Sequence, residues 1–159
     1  MLRCVVFSDT HGNIDRAVDA ILLLKEVDMI IHLGDTTADA REIAHVFPDI
    51  PVHSVAGNND FCSSVPLLKS VKFGEFTLLL THGHCQGVKT SKECFARLVK
   101  EQGADMGLFG HTHREFDGLV EGTRLVNPGS SKDGYSRMAT CAVLEIDGGK
   151  LKSTIWQIP

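Results

Sequence analysis

The sequence has no long hydrophobic run at its start. In MLRCVVFSD only Cys4 to Phe7 are continuously apolar after the basic residue, too few for the hydrophobic region of a signal peptide or for a membrane span. The chain therefore reads as soluble and cytoplasmic, with no membrane partner. Excess positive charge is missing too: 16 Lys and Arg stand against 20 Asp and Glu, for a net charge of −4. The basic footprint of a nucleic-acid binder is absent, which leaves a nucleotide substrate open but not a role on a nucleic-acid backbone. No C-x-x-C pair occurs among Cys4, Cys62, Cys85, Cys94 and Cys141. An odd, scattered set of this kind fits a reducing compartment and free, mostly buried thiols. There is no repeat, low-complexity segment or dividing linker, and 159 residues suit one domain, 1–159. A chain of that length buries roughly 70% of its unfolded surface.

The apolar pattern alternates between short runs and helical spacing. Leu2 to Phe7 predicts a strand, followed by a helix through Ile14, Ala17, Val18, Ile21, Leu22 and Leu24, with Asn13 placed to cap it. A strand at MIIHL (29–33), a helix through Ala40, Ile43, Ala44 and Phe47, and a strand at VHSVA (52–56) come next. This order predicts parallel strands covered by helices. Beyond Val65, VKFGEFTLLL (71–80) reads as two strands around Gly74, with a helix of about a dozen residues from Ser91 and a strand at MGLFG (106–110). Hairpin signals at VEGTRLV (120–126) and IDGGKLKSTIWQI (146–158) make the last third mostly antiparallel β.

Five strand ends carry similar polar signatures: Asp9 and His11 in SDTHGN, Asp35 in LGDT, Asn58 and Asp60 in GNND, His82 and His84 in THGH, His111 and His113 in GHTH. Ligands in α/β proteins gather beyond the carboxyl ends of strands, so these loops are expected to converge on one crevice. Carboxylate, amide and imidazole together suit manganese, iron, zinc, cobalt or nickel, and a Cys-rich structural zinc site is disfavoured. Asp9, His11, Asp35, Asn58, His82, His111 and His113 outnumber the ligands of one four-coordinate ion. Two ions sharing Asp35 would use them all.

The ordered motifs D-x-H, G-D, G-N-x-D, H and G-H-x-H between residues 9 and 113, with VNPGSS at 126–131, resemble the metallo-dependent (calcineurin-like) phosphoesterase superfamily, in its small single-domain phosphodiesterase branch. The resemblance implies an α/β fold of four layers, α/β/β/α, in which a two-sheet β-sandwich is flanked by helices. It also implies two divalent ions, manganese foremost, one held by Asp9, His11, Asp35 and His113 and the other by Asp35, Asn58, His82 and His111. A hydroxide shared between them would attack a small-molecule phosphate ester. Homo-oligomers are frequent among such relatives.

In the larger family a histidine commonly follows the asparagine ligand; here that position is Asn59, whose amide is no proton donor near neutrality. His84 is the candidate substitute. Asn59 and His84, with Asp35, are therefore the catalytic candidates, Asn13, Asn59 and His84 the substrate contacts, and Asp60 a carboxylate that orients a ligand. A diester with a good leaving group suffers least from the missing histidine, so a phosphodiesterase is favoured over a phosphomonoesterase. The rival is a non-catalytic scaffold on the same fold.

Other residues read as ordinary. His32, His45 and His53 fit no motif and read as packed or half-exposed, Asp15, Asp19 and Asp39 as helix-start or solvent-facing charges, and Ile21, Leu22 and Leu24 as a packed stripe. Cys4, Cys94 and Cys141 read as core. Cys85 is not expected to be a nucleophile, and Ser130 and Ser131 read as loop structure or phosphate contacts.

Overall fold

A computed structural model describes residues 1–134 and 137–159. β1 (Leu2–Phe7), α1 (Asp15–Leu24), β2 (Met29–His32), α2 (Thr37–Val46) and β3 (Val52–Ser54) form the βαβαβ unit that the spacing predicts. β1 pairs parallel with β2, and β2 with β3. The second half supplies β4 (Leu68–Phe73), β5 (Phe76–Thr81), α3 (Glu93–Glu101), β6 (Met106–Leu108), β7 (Glu115–Val120), β8 (Thr123–Pro128), β9 (Thr140–Asp147) and β10 (Lys150–Gln157).

Ten strands make two five-stranded sheets, ordered β10-β9-β1-β2-β3 and β4-β5-β6-β8-β7. The C-terminal hairpin therefore leaves its neighbours in sequence and pairs antiparallel with β1, Cys4 against Leu144. β6 lies parallel to both β5 and β8, while β7 with β8, β9 with β10 and β9 with β1 pair antiparallel, in keeping with a mostly antiparallel last third.

Period-two alternation assigns the layers. Cys4 and Val6 of β1, with Ile31, Leu33, Ala142 and Leu144, face Phe73, Leu78, Leu80, Leu108 and Val126 of the other sheet. Val5, Phe7 and Ile30 face the opposite way, onto Ala17, Ala20 and Ile21 of α1 and Ile43 of α2. Leu79 and Leu125 pack on Phe95, Ala96 and Val99 of α3. The layers are thus helices, sheet, sheet, helix, the expected four-layer α/β/β/α arrangement. CVVF is continuously apolar because both faces of β1 are covered. Each large side chain so buried contributes roughly 1.5–3 kcal/mol.

Several local expectations are corrected. β2, β3 and β6 stop earlier than the apolar runs that contain them, because Leu33, Val55, Ala56 and Phe109 continue the core after pairing has ended. α3 has nine residues, starting at Glu93. Leu22 is 61% exposed, off the stripe through Ala17, Ala20 and Ile21. Cys94 is exposed on α3, as are Cys62 and Cys85, so only Cys4 and Cys141 are buried thiols. The N-cap of α1 is Ile14 rather than Asn13, which lies one residue earlier and accepts from Asp15 N through Oδ1 at 3.0 Å. No helix among the described residues is long and apolar enough to cross a membrane.

Candidate metal centre

Register brings the five loops level. Phe7 pairs with His32 and His32 with Ser54, so the loops carrying Asp9, Asp35 and Asn58 leave one sheet at the same edge. In the other sheet Leu80 pairs with Leu108, which sets His82 beside the 110–113 loop, and Gly110 N donates to His82 O at 2.9 Å. The two sheets meet at this edge.

Side chains from both sheets then close on one another. Asp9 Oδ1 lies 3.1 Å from His113 Nε2 and 3.9 Å from His11 Nε2, and the two imidazole nitrogens are 3.3 Å apart. On the other side His82 Nε2 is 3.4 Å from Asp35 Oδ1 and 3.9 Å from Asp9 Oδ1. Donor atoms thus gather in two groups, Asp9 with His11 and His113, and Asp9 with Asp35 and His82. Asp9 is common to both, whereas the resemblance assigns the shared position to Asp35. The ring of His111 stands 5.0 Å from that of His82, and the ring of His84 is 5.6 Å from His82 and 6.1 Å from His111. His111 and His84 therefore stand beside the second group, outside its close-set donor atoms. Asn58 is exposed in the turn after β3, and its side chain makes no hydrogen bond among the described residues.

The hydrogen bonds of His82 show which lone pair faces inward. Leu33 O can only accept, so the 2.7 Å contact with His82 Nδ1 places a proton there; a ring carrying that proton alone directs the Nε2 lone pair toward two carboxylates. His82 Nε2 and Asp9 Oδ1 are fully buried, and neither has a hydrogen-bond partner among the described residues. Two electron-rich atoms at such spacing repel unless positive charge lies between them. A divalent cation satisfies both, and oxygen and imidazole nitrogen are donors suited to one.

The charges conform to this arrangement. Burial alone would raise the Asp9 carboxyl, but contact with His113, the nearby His82 and the Ser8 hydroxyl hold it below the usual range. The adjoining Asp9 carboxylate raises His113, while burial lowers His111 and His84 and favours their neutral, ligating form.

The backbone that presents these groups is strained. Asp9, His11, Asp35, His111 and His113 have φ of 56°, 49°, 53°, 68° and 57°, in the left-handed region that non-glycine residues enter at a cost of about 1–3 kcal/mol each. Surrounding bonds hold them there. The Asp60 carboxylate accepts from Asp35 N (3.1 Å), Thr36 N (3.2 Å), Thr37 N (2.7 Å) and Gly57 N (2.7 Å), joining the second and third loops. Asn59 donates Nδ2 to Asp35 Oδ2 at 2.8 Å and its backbone N to Asp35 Oδ1 at 3.1 Å. Asn59 thus braces a carboxylate, with its amide turned away from the role of a leaving-group donor.

Residues outside the motifs complete the frame. His32 Nδ1 accepts from Gly34 N at 3.2 Å, and its Nε2 contacts Thr10 Oγ1 at 2.9 Å. Thr10 donates onward to Asp39, whose Oδ2 also accepts from Gly12 N at 2.8 Å. Asp39 is 3% exposed, which corrects the solvent-facing reading: it lies in the first turn of α2 but points inward to the 9–13 loop. Burial lowers the His32 pKa to about 4, so the ring is neutral in this chain of bonds. Asn127 Nδ2 donates to Gly110 O and Thr112 Oγ1, each at 3.0 Å. Ser130 Oγ donates to Asp9 O at 3.1 Å, and Ser131 Oγ accepts from Ser8 N at 3.3 Å, so the segment just after β8 is loop structure that anchors the first motif. Of these supports, only Asn127, Ser130 and Ser131 were signalled in the sequence, through VNPGSS. Asn13 is exposed, in a surface cavity with Asp15, Arg16 and Lys132, outside both donor groups.

Comparison with known proteins bears on family and fold. Residues 2–149 match the calcineurin-like phosphoesterase superfamily domain. The probable metallophosphoesterase YsnB of Bacillus subtilis is 31% identical over 131 residues, 81% of this chain and 75% of that protein. Vacuolar protein sorting-associated protein 29 of Schizosaccharomyces pombe is 32% identical over 113 residues, 70% of this chain and 59% of its own length. Among solved structures, a conserved uncharacterised protein from Streptococcus pneumoniae, described as a predicted phosphoesterase, superposes with a TM-score of 0.77 at 27% identity, covering 98% of this chain and 89% of the other. By its motifs, its two-sheet fold and this match along nearly its whole length, the chain belongs to the calcineurin-like phosphoesterase superfamily.

Proposed function

We propose that the chain is a two-metal phosphodiesterase that hydrolyses a small-molecule phosphate ester. The observation that carries this reading is the buried, unpartnered pair of His82 Nε2 and Asp9 Oδ1 at the centre of an oxygen and imidazole cluster. Asp9, His11 and His113 would hold one ion, and His82, His111 and Asn58 the other, with Asp35 shared. Oxygen and nitrogen donors accept manganese, the ion we favour, as well as nickel, zinc, iron or cobalt. Two such cations supply Lewis acidity to phosphate oxygens and bring the pKa of water down toward about 7. The protein's part is to aim these groups: Ser8 bonds Asp9, Leu33 O orients His82, and Asn59 and Asp60 brace Asp35 and its loop.

Preference for a diester rests on Asn59. Its amide is committed to Asp35, so no proton donor stands at that position for a poor leaving group. His84, beside His82 and His111, is the nearest remaining imidazole and our candidate substrate contact. Metal-loaded protein is expected to hydrolyse bis(p-nitrophenyl) phosphate faster than p-nitrophenyl phosphate; a large preference for the monoester contradicts the diester reading.

Which carboxylate is shared is open to direct test. Asp35→Asn should lose both ions and turnover if Asp35 is the bridge, and Asp9→Asn only one ion. The reverse pattern, read by metal analysis, would move the bridge to Asp9. Similarity to vacuolar protein sorting-associated protein 29 supports the scaffold alternative. That alternative requires little bound metal and no metal-restored hydrolysis.

A further inference from the structure

A cavity of about 620 Å³ opens beside His113, and Arg114, Lys132 and Arg137 line it together with Glu115 as its one acidic side chain. None of these three cations is in an ion pair among the described residues. Elsewhere cations are neutralised, as in Arg3 with Glu145, Arg16 with Asp133 and Arg124 with Asp117. Arg137 Nη1 donates to His113 O at 3.2 Å, which fixes a guanidinium at the edge of the metal centre. A neighbouring cavity is lined by Lys89 and Lys92 together with Thr112 and Arg114, so positive charge continues along the same loop. In a chain of net charge −4 this is a local reversal of sign. Like charges collected in one groove repel one another, and a bound anion relieves that repulsion.

We propose that this groove binds a second anionic group of the substrate, so that the phosphate ester carries at least one further negative charge, as a second phosphate would supply. The proposal rests on the phosphoesterase reading of the adjoining centre and names its substrate class. Arginine guanidinium and lysine ammonium are the groups that bind phosphate oxygens. The cavity has the volume of a small-molecule pocket, and the acidic balance of the whole chain disfavours a nucleic-acid strand as occupant.

Calorimetric titration of chelator-treated protein with inorganic tripolyphosphate and with orthophosphate tests the groove without any metal or turnover. Tripolyphosphate is expected to bind about tenfold or more tightly than orthophosphate, since it reaches more than one cation. Lys132→Ala and Arg114→Ala should each weaken tripolyphosphate about threefold or more, while Lys150→Ala, at the opposite end of β10 from the cavity residue Gln157, leaves it unchanged. Both groove residues are exposed, so the variants should melt with the parent. Equal affinity of parent and groove variants overturns the proposal. So does displacement of tripolyphosphate by a single-stranded oligonucleotide of higher affinity, which would assign the groove to nucleic acid. Hydrolysis of bis(p-nitrophenyl) phosphate by metal-loaded parent is measured alongside. Its absence with anion binding intact overturns the phosphoesterase reading and the substrate class built on it, whereas intact hydrolysis without groove binding overturns the groove alone.

Discussion

Asp60 receives four backbone N–H groups from two loops, and the strained Asp35 and Thr36 are among the donors. Asp60→Ala leaves those donors without their carboxylate and frees Asp35 to leave its left-handed conformation. Metal affinity should fall about 10- to 100-fold, the usual effect of losing a group that orients a ligand. Metal titration of the variant checks this, and unchanged affinity would deny Asp60 a positioning role. His32 offers a test by pH. Its folded pKa of about 4 lies below the ordinary value of 6.5, so between those values the unfolded chain binds more protons. Its contribution to stability is therefore present above pH 6.5 and lost as pH falls toward 4, by up to roughly 3 kcal/mol. Urea unfolding of parent and His32→Asn across that range should show the difference in slope, and parallel curves would contradict it. That Asp9, His11, Asp35, His82 and His113 gather at one edge was legible because histidine and aspartate stand at regular places after strand ends. His32 and Asp39 were not, because a buried hydrogen-bond chain between residues 10, 32 and 39 leaves no local pattern.

At the scale of elements, the ends of β1, β2, β3, β5 and β6 act as a frame, and two glycines let the loops approach within it. A Cβ on Gly57 would lie 2.5 Å from Asp35 N and collide with the Asp35 carboxylate; one on Gly110 would press on Ser8 Oγ and lie 3.0 Å from Asp9 Oδ2. Gly57→Ala and Gly110→Ala should each push a carboxylate out of place, costing about 1–3 kcal/mol of stability together with metal binding. Thermal melts that match the parent's, with metal binding retained, would show that the loops have slack. Phe109 packs edge-on against Phe95, ring centroids 6.0 Å apart, and leads directly into the 110–113 loop. The first three strands and two helices were legible from periodicity because β1 and β2 are covered on both faces and α1 and α2 on one. The pairing of β9 with β1 and the parallel entry of β6 between β5 and β8 were not. Long-range pairing partners depend on how two sheets stack, which spacing along the chain does not encode.

The whole molecule is a clamp whose two halves come from different sheets. Asp9, His11 and Asp35 come from the sheet containing β1 and β2, and His82, His111 and His113 from the sheet containing β5 and β6. A cation bound across them ties the sheets together, so chelation should lower the melting temperature by the mass-action stabilisation that a ligand specific to the folded state provides. Restored manganese should return it, and a melting temperature indifferent to chelator would separate the sheet edge from metal binding. Family and four-layer fold were legible from the five motifs, because the chemistry of the ligands and their order in the chain travel together. The cationic groove beside His113 was not, since Arg114, Lys132 and Arg137 are scattered in a sequence of net negative charge. The most direct test of the central claim is the metal content and bis(p-nitrophenyl) phosphate hydrolysis of one sample, before chelation, after it, and after manganese is returned. Two ions per chain, hydrolysis lost with them and hydrolysis recovered with them are the expected result; a chain that binds no manganese, or binds it without hydrolysing the diester, contradicts the account.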